Sequence, residues 1–503
     1  MKLAGGRWKL LWRDDCAGLR RRVTALAGVI LLGCVANPPR VGHLRKERVS
    51  HAGQSHGARP GIGFETTGGW PAPPPMVLHV NHLRDMIGTA INWIYDGDGL
   101  GLSEPKPNAP AESLVATLGY NMVRFPGGTL ARTFDWTKAI DSVRGQGPDY
   151  GGQLHVIQAG LPKFKRFATR QAMRVMYTLN ISDPPAKTVS LLERWRALAP
   201  PGGPDISSVE LGNEEYTSGT DSASAARYAT LALGVASAVR RVAPQVRIGA
   251  VLYWGRTAAW DSVVIGHLGS SADFLIWHRY VPSAPYLGLA SYWPTVAAFR
   301  DVEQDLQQKL RLIGERRLPI VLGEFNLSYQ QDGHHQNVLL PPRFYLLLGD
   351  FFYLAVRYDL GGIVKWALAT PSWHTYVDIN FNGTREPELS VSGAVSRLLN
   401  RWLSAQDSVG AVDQPTNDWP RLSVLAGRAA DGSPSFVIQN HDYLPALVNL
   451  PATTGFEASA QVVLEERAGR FATVDSEPSS ADLVHGVQVP PYSISVLTYR
   501  RGP

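Results

Sequence analysis

The segments SVELGNE at residues 208–214 and LPIVLGEFN at residues 318–326 decide the predicted fold. In each, a short strand-like run is followed directly by a glutamate, Glu214 in the first and Glu324 in the second. Strands of a parallel sheet are buried on both faces and read as short apolar runs, and barrels of such strands carry catalytic side chains at their carboxyl ends. The two segments therefore predict parallel strands that each end in a carboxylate.

Six further runs of this kind occur, and amphipathic helical stretches separate them. This alternation predicts an α/β fold, a (β/α)8 TIM barrel, with roughly 30 to 60 residues between successive strands. The predicted strands occupy residues 62–65, 122–125, 174–179, 208–211, 246–251, 274–277, 320–322 and 362–367.

The pattern changes after residue 400, where alternating runs replace the helical stretches. These runs, at 421–425, 435–438, 461–465 and 493–499, predict a C-terminal antiparallel β-sandwich domain. The expected organisation is a leader at 1–34, a flexible tether at 35–60, a catalytic barrel at 61–400 and the β-sandwich at 401–503.

The net charge of +6 belongs to the beginning of the chain. Residues 1–60 hold 12 of the 49 basic residues and 3 of the 43 acidic ones, which leaves 37 basic and 40 acidic residues in 61–503. A body this close to neutral gives no reason to expect a nucleic-acid partner.

The leader has the features of an export signal. Three arginines at 20–22 precede an apolar run at 23–32, which is too short to span a bilayer but is typical of a signal peptide. The run ends in LLGC, which resembles a lipoprotein processing box with Cys34 as the lipidated residue; the alternative is an ordinary secretory signal cleaved a few residues later. We expect an exported protein (periplasmic, outer-membrane lipoprotein or secreted), attached to a membrane only through a lipidated N-terminus. Both cysteines lie in this leader, so cysteine catalysis is excluded.

Two carboxyl groups are what hydrolysis of a glycosidic bond through a covalent intermediate requires, one to protonate the leaving oxygen and one to attack the anomeric carbon. The fourth and seventh strands of a barrel face each other, so Glu214 and Glu324 would meet at the ~5 to 5.5 Å of a retaining pair. Glu210 and Glu215 compete with Glu214, and strict alternation along the strand does not decide between Glu210 and Glu214.

Several segments resemble the clan A retaining glycoside hydrolases, in which the acid/base glutamate follows an asparagine at the end of the fourth strand, as Asn213 and Glu214 do here. VRFPGGT at 123–129, DFLIWHRY at 273–280 and VPPYSISVL at 489–497 are similar to segments of the family 51 α-L-arabinofuranosidases. ELGNE at 210–214 and RFPGGT at 124–129 equally resemble segments of the family 79 glucuronidases, and family 39 shares the general arrangement of these motifs. The resemblance extends from about residue 61 to residue 500.

The resemblance implies roles for most of the site residues, with Glu214 as acid/base and Glu324 as nucleophile. The residues that it assigns to substrate binding are Glu65, Arg124, Asn213, His278 and Tyr280. Trp366 is added because of its position at the end of the predicted eighth strand, where its aromatic face would form the floor of the donor subsite. Arg124 would keep a catalytic carboxylate ionised, and Asn213 would bond the sugar 2-hydroxyl. No cofactor is implied, and no metal is expected, because adjacent histidines such as His334 and His335 rarely converge on one ion.

The predicted function is a retaining glycoside hydrolase of a polysaccharide or oligosaccharide, with arabinofuranosides as the leading substrate. One alternative is a uronidase of the family 79 type, whose basic pocket Arg124, Arg132 and Arg279 would supply. Another is a catalytically silent barrel that binds polysaccharide. A carbohydrate is the expected partner in all three cases.

Overall fold

The computed structural model describes residues 78–93, 100, 108–140, 145–148, 152–157, 160–198, 202–256, 258–282, 292–328, 342–369, 377–381, 386–411, 422–448, 450, 456–467, 470–476 and 487–501. The leader, the tether and the predicted first strand lie outside these ranges. None of the helices within them is long and apolar enough to cross a membrane.

Eight parallel strands form a closed barrel, as the sequence predicts. In chain order they are β2 (Ile87–Ala90), β3 (Met122–Phe125), β6 (Arg174–Leu179), β7 (Ile206–Leu211), β8 (Arg247–Val251), β9 (Phe274–Pro282), β10 (Ile320–Ser328) and β11 (Gly362–Lys365). Pairing of β11 with β2 closes the circle. Seven of the eight predicted strands are therefore confirmed within a few residues, apart from the longer β9 and β10.

The first predicted strand is wrong. Ile87–Ala90 occupies the position between β11 and β3 that was assigned to 62–65, and those four residues lie outside the described ranges. The sequence IGTA carries little apolar signal, because this strand needs small residues: a Cβ on Gly88 would lie only 3.0 Å from Val364 Cγ2.

The barrel interior is layered, as the two-residue period of a strand requires. Its apolar floor is formed by Met86, Met122, Met176, Phe274, Ile276, Val321 and Val364. Two residues further along β3, β6 and β9, the inward positions are polar: Arg124, Thr178 and His278. The polar layer therefore lies directly above the floor, towards the carboxyl ends of the strands.

Nine α-helices lie within the described ranges. They are α1 (Ala109–Thr117), α2 (Leu161–Arg170), α3 (Pro185–Ala197), α4 (Ser222–Val242), α5 (Ala258–Leu268), α6 (Tyr292–Ala297), α7 (Phe299–Ile313), α8 (Leu347–Arg357) and α9 (Val391–Ser404). Side chains at the N-caps accept backbone hydrogen bonds at three of them: Asn108 before α1, Asp221 before α4 and Ser390 before α9. Two short strands, β4 (Gln146–Pro148) and β5 (Leu154–Val156), form a hairpin after β3.

The C-terminal region forms an antiparallel sheet of seven strands in the order β1-β14-β15-β16-β21-β18-β19. Its members are β1 (His79–Val80), β14 (Ser408–Ala411), β15 (Leu422–Arg428), β16 (Pro434–Asn440), β18 (Phe456–Arg467), β19 (Arg470–Ser476) and β21 (Ser493–Arg501). Two further pairs are β12 (Ile379–Asn380) with β13 (Glu388–Leu389), and β17 (Ala446–Val448) with β20 (Val487–Val489). All four runs predicted after residue 400 coincide with these strands, except that residue 421 lies outside the described ranges. The sheet also contains β1, which comes before the barrel, so it is not a simple 401–503 segment.

The centre of this sheet is buried on both faces, as alternate residues of β16 show. Phe436 and Ile438 pack with Val448 and Val489 of the β17–β20 pair. Val437, between them, belongs to the same apolar core as the barrel helices. The sheet is thus held between the small β17–β20 pair and the barrel.

Candidate active site

The candidate site is the polar layer at the carboxyl ends of β3, β7, β9 and β10. Alternation brings Glu210 inward on β7. On β10 the pairing with β9 has an irregularity between Leu322 and Glu324, and it turns the Glu324 side chain inward although Val321 already points to the floor. Gly323 allows this, because a Cβ there would lie 2.4 Å from Ile276 Cγ2.

Arg124 joins the acidic strands. It is fully buried, and its Nε donates to Glu210 Oε2 at 2.5 Å while its Nη1 donates to Glu324 Oε1 at 2.5 Å. Nη2 donates to Asn213 Oδ1 at 2.7 Å. Burial alone would lower the pKa of Arg124, but the charges of Glu210 and Glu324 outweigh it and raise that pKa. The guanidinium therefore stays charged and holds Glu210, Glu324 and Asn213 in place.

Glu324 is held from both sides. Tyr280 donates its hydroxyl to Glu324 Oε2 at 2.6 Å, opposite the bond from Arg124. Burial and the charge of Glu324 raise the Tyr280 pKa well above its ordinary value, so the phenol remains a donor. With only 4% of its surface exposed, Glu324 is an oriented carboxylate in the wall of the site.

The three rival glutamates, Glu210 in β7 and Glu214 and Glu215 in the turn after it, have different surroundings. Glu210 is completely buried and, besides Arg124, accepts the Thr178 hydroxyl at 2.8 Å; burial would raise its pKa, but the charge of Arg124 lowers it to about 2. Glu215 turns back to accept from Asn213 N at 3.3 Å, and burial raises its pKa.

Glu214 is the member of this group that faces the opening. The chain turns sharply after β7, with φ of 88° at Gly212 and 50° at Glu214. A Cβ at Gly212 would lie 2.7 Å from the Glu215 side chain, so the turn requires glycine. The Glu214 side chain is 24% exposed and accepts the Tyr216 hydroxyl at 3.0 Å.

His278 lies among three carboxylates. Its Nδ1 is 3.2 Å from Glu214 Oε1 and 3.8 Å from Glu324 Oε2, and its Nε2 is 3.3 Å from Glu210 Oε1. Burial alone would lower the His278 pKa, but the carboxylates outweigh burial and raise it to about 10. Burial likewise opposes ionisation of Glu214, yet the bond from this imidazolium lowers the Glu214 pKa.

The two candidate catalytic carboxylates come within reach of one reacting atom. One oxygen each of Glu214 and Glu324 and one ring nitrogen of His278 lie within 4.8 Å of one another. A metal ion could be coordinated by such a set, but each member already has a hydrogen-bond partner and His278 is protonated at neutral pH. The expectation that no metal binds remains a prediction.

Trp366 directly follows β11 and lies over the PGG turn that follows β3. A Cβ at Gly127 would lie 2.6 Å from Trp366 Cζ3, and one at Gly128 would lie 2.5 Å from Trp366 Cη2, so only glycines admit the indole. The Trp366 carbonyl accepts from Asn326 Nδ2. The partly exposed indole is thereby fixed at the mouth, beside the strand that carries Glu324.

Of the eight predicted catalytic and substrate-binding residues, seven converge here. The eighth, Glu65, lies outside the described ranges, and the strand end on which its predicted role rests is occupied by Ile87–Ala90 instead. Sequence reasoning missed Thr178 and Tyr216. Thr178 could have been found, because it lies two residues after Met176 on β6 and every second residue of a strand faces the same side. Nothing in the sequence pointed to Tyr216.

Comparison with known proteins supports the same architecture. Neither a protein-family model nor a curated protein sequence matches the chain. Among solved structures, it is similar to a family 51 α-L-arabinofuranosidase from Bifidobacterium longum, with a TM-score of 0.71 and 15% identity over 85% of this chain and 97% of that one. It is also similar to a family 51 arabinofuranosidase from Xanthomonas axonopodis pv. citri, with a TM-score of 0.70 and 16% identity over 85% and 98%.

A more distant similarity is to a family 30 subfamily 8 xylanase from Clostridium acetobutylicum, with a TM-score of 0.51 and 12% identity over 84% of this chain and 97% of that one. The fold is therefore similar to that of solved family 51 arabinofuranosidases and, more distantly, to that of a family 30 xylanase. The resemblance inferred from the sequence motifs is confirmed at the level of the fold.

Proposed function

We propose that the protein is a retaining glycoside hydrolase with Glu324 as nucleophile and Glu214 as acid/base. The observation that carries the proposal is the convergence of these carboxylates from β10 and the turn after β7, with oxygens no more than 4.8 Å apart. Retaining enzymes need the carboxyl groups at about 5 to 5.5 Å, whereas inverting enzymes separate them by roughly 6.5 to 9.5 Å to admit a water.

In the first step, Glu324 attacks the anomeric carbon and forms an ester bond. The bond from that carbon to the leaving oxygen breaks, its electron pair stays on the oxygen, and protonated Glu214 supplies the proton. Arg124 and Tyr280 hold the two oxygens of Glu324 so that the carboxylate is oriented for attack.

In the second step, the carboxylate of Glu214 takes a proton from water. The water oxygen bonds to the anomeric carbon, the ester bond breaks, and its electron pair returns to Glu324. Asn213 Nδ2, which is buried and has no partner among the described residues, is the donor we assign to the sugar 2-hydroxyl.

A neutral sugar fits the site better than a uronic acid. Each arginine that a uronidase would need is already engaged: Arg124 with Glu210 and Glu324, Arg132 with hydroxyls of the turn after β7, and Arg279 with Asp305 at 2.9 Å. Strand alternation also points Arg279 out of the barrel interior, because His278 and Tyr280 on either side of it point inward. We infer that α-L-arabinofuranosides are the substrates, since five arabinofuranosidase structures give TM-scores of 0.65 to 0.71, while two xylanases and a xyloglucanase give 0.50 to 0.52.

A panel of aryl glycosides tests this proposal. We expect release of the phenol from 4-nitrophenyl α-L-arabinofuranoside by the wild type and none above background by Glu324→Ala. Release from a glucuronide alone would favour the uronidase. The absence of release from every member by the wild type would favour the silent polysaccharide-binding barrel.

We also propose that the chain is exported. The proposal rests on the arginines at 20–22 and the apolar run at 23–32, which lead to Cys34. Intact mass of the mature protein tests it: a species that begins near Cys34 is expected, and one that retains the three arginines contradicts a cleaved signal.

A further inference from the structure

Trp254 is an exposed aromatic side chain at the mouth of the barrel. Its exposed fraction is 46%, whereas the other tryptophans whose side chains are described are buried or only partly exposed. It follows β8 by three residues, and β8 is the barrel neighbour of β7, which leads to Glu214. It therefore lies at the carboxyl-terminal edge, next to the strand of the acid/base.

A chain of aromatic contacts connects Trp254 to Glu214. Tyr216, whose hydroxyl bonds to Glu214, packs edge to face against Tyr253 with ring centroids 5.2 Å apart. The rings of Tyr253 and Trp254 are 5.7 Å apart. Trp254 is thus on the side of the site where the leaving oxygen receives its proton, whereas Trp366 adjoins the nucleophile.

The backbone of this loop is fixed although the indole is exposed. Trp277 Nε1 donates to the Trp254 carbonyl at 3.1 Å, Tyr253 N donates to Asp261 at 2.7 Å, and Lys309 donates to the Gly255 carbonyl at 2.9 Å. Three consecutive residues are therefore held from different elements, and the exposure of Trp254 is not that of a loose loop.

One face of the Trp254 ring is also supported. The Arg279 guanidinium carbon lies 5.3 Å from the ring centroid, and Asp305 fixes that guanidinium. The exposed 46% of the residue remains accessible to a ligand. A flat, rigid aromatic face of this kind loses little conformational freedom on binding and suits the apolar face of a sugar ring.

We propose that Trp254 forms the first subsite on the leaving-group side and stacks on the sugar ring that Glu214 protonates at its glycosidic oxygen. This inference rests on the proposed function and deepens it, because it assigns a specificity for leaving groups that carry a sugar ring. Substrates with a small alkyl leaving group make no use of the subsite.

The test compares 1,5-α-L-arabinobiose, whose leaving group is a sugar, with methyl α-L-arabinofuranoside, whose leaving group has no ring. For Trp254→Ala we expect kcat/KM to fall about tenfold on the disaccharide, mainly through KM, and to change less than twofold on the methyl glycoside. Trp254→Phe retains an aromatic ring, so its kcat/KM on the disaccharide should fall less. If the alanine variant does not fold, the phenylalanine variant provides the comparison. Tyr443→Ala, which removes an exposed aromatic from the C-terminal sheet region, is the matched control and should change neither substrate.

Each other outcome has a separate meaning. Equal losses of Trp254→Ala on both substrates, or no loss on the disaccharide, would overturn the subsite and leave the proposed function intact. Cleavage of neither substrate by the wild type would overturn the proposed arabinofuranosidase activity, and the subsite inference with it.

Discussion

Glu214 and Glu324 are held in different ways, and the difference is what the mechanism requires of them. Glu324 is nearly buried and bonded at both oxygens, whereas Glu214 faces the opening with its oxygen shared by Tyr216 and His278. A fixed carboxylate suits attack on one carbon. A more accessible one suits protonation of a leaving group and, later, activation of water.

The two glutamates should therefore respond differently to alanine. Glu214→Ala should still be glycosylated by substrates with activated phenols and then stall, because water lacks its general base. Azide needs no base, so it should restore turnover and give a glycosyl azide of retained configuration, identified by NMR. Retained azide product from Glu324→Ala instead would exchange the two assignments.

His278 should set the pH profile. Its imidazolium lowers the Glu214 pKa, so its replacement by the neutral His278→Asn should raise that pKa. The acid then stays protonated to higher pH, and the basic limb of kcat/KM should move upward. His267→Asn, which changes an exposed histidine of α5, should leave the profile unmoved. If the basic limb of His278→Asn stays in place or moves to lower pH, the assigned effect of His278 on the Glu214 pKa is contradicted.

At the scale of elements, strands buried on both faces were predictable because apolar runs identify them. The exception is instructive: residues 62–65 have more apolar character than IGTA, but Gly88 of IGTA is required by its close approach to Val364. Packing of one strand against another is a tertiary property, and a local pattern does not contain it. Tyr216 was likewise not predictable, because the turn after β7, and not the two-residue repeat of a strand, brings its hydroxyl to Glu214.

The side chain of Lys309 ties α7 to α5 and to the loop that carries Trp254. It is 1% exposed and bonds to Asp261 at 2.8 Å and to the Gly255 carbonyl. Burial lowers the Lys309 pKa and raises that of Asp261, so each charge depends on the other.

Lys309→Met should lower the free energy of unfolding by about 3 to 5 kcal/mol, because it leaves Asp261 buried without its cation. Combining it with Asp261→Asn should cost less than the single change, since no charge remains buried. Lys138→Met, at an exposed pair with Asp135, is the control and should cost less than about 1 kcal/mol. Urea unfolding provides these values, and a double variant less stable than Lys309→Met would argue against the explanation.

At the scale of the whole molecule, α8 joins the barrel to the C-terminal sheet. Every residue from Leu347 to Val356 is buried, which is the signature of a helix covered on all sides. On the sheet side, buried Gln439 and His441 bond to Asp350 of this helix. The barrel therefore does not complete its own surface.

Removal of the residues after α9 should abolish soluble expression, because it uncovers α8. The 61–404 fragment is tested by its soluble yield and by circular dichroism and thermal melting of any soluble material. The full chain with Tyr443→Ala, which changes an exposed side chain and keeps the sheet, is the control and should remain folded. A folded and active fragment would mean that the sheet is dispensable.

The pairing of β1 with β14 has a consequence for the order of synthesis. His79 and Val80 bond to Val409 and Ser408, so an edge strand made before the barrel finds its partner only after the barrel is complete. On a ribosome that adds residues one by one, β1 emerges without this partner, and the pairing can form only after all the strands of the barrel have been made. The nascent chain thus carries residues 79–80 without their partner strand until residues 408–409 have been made.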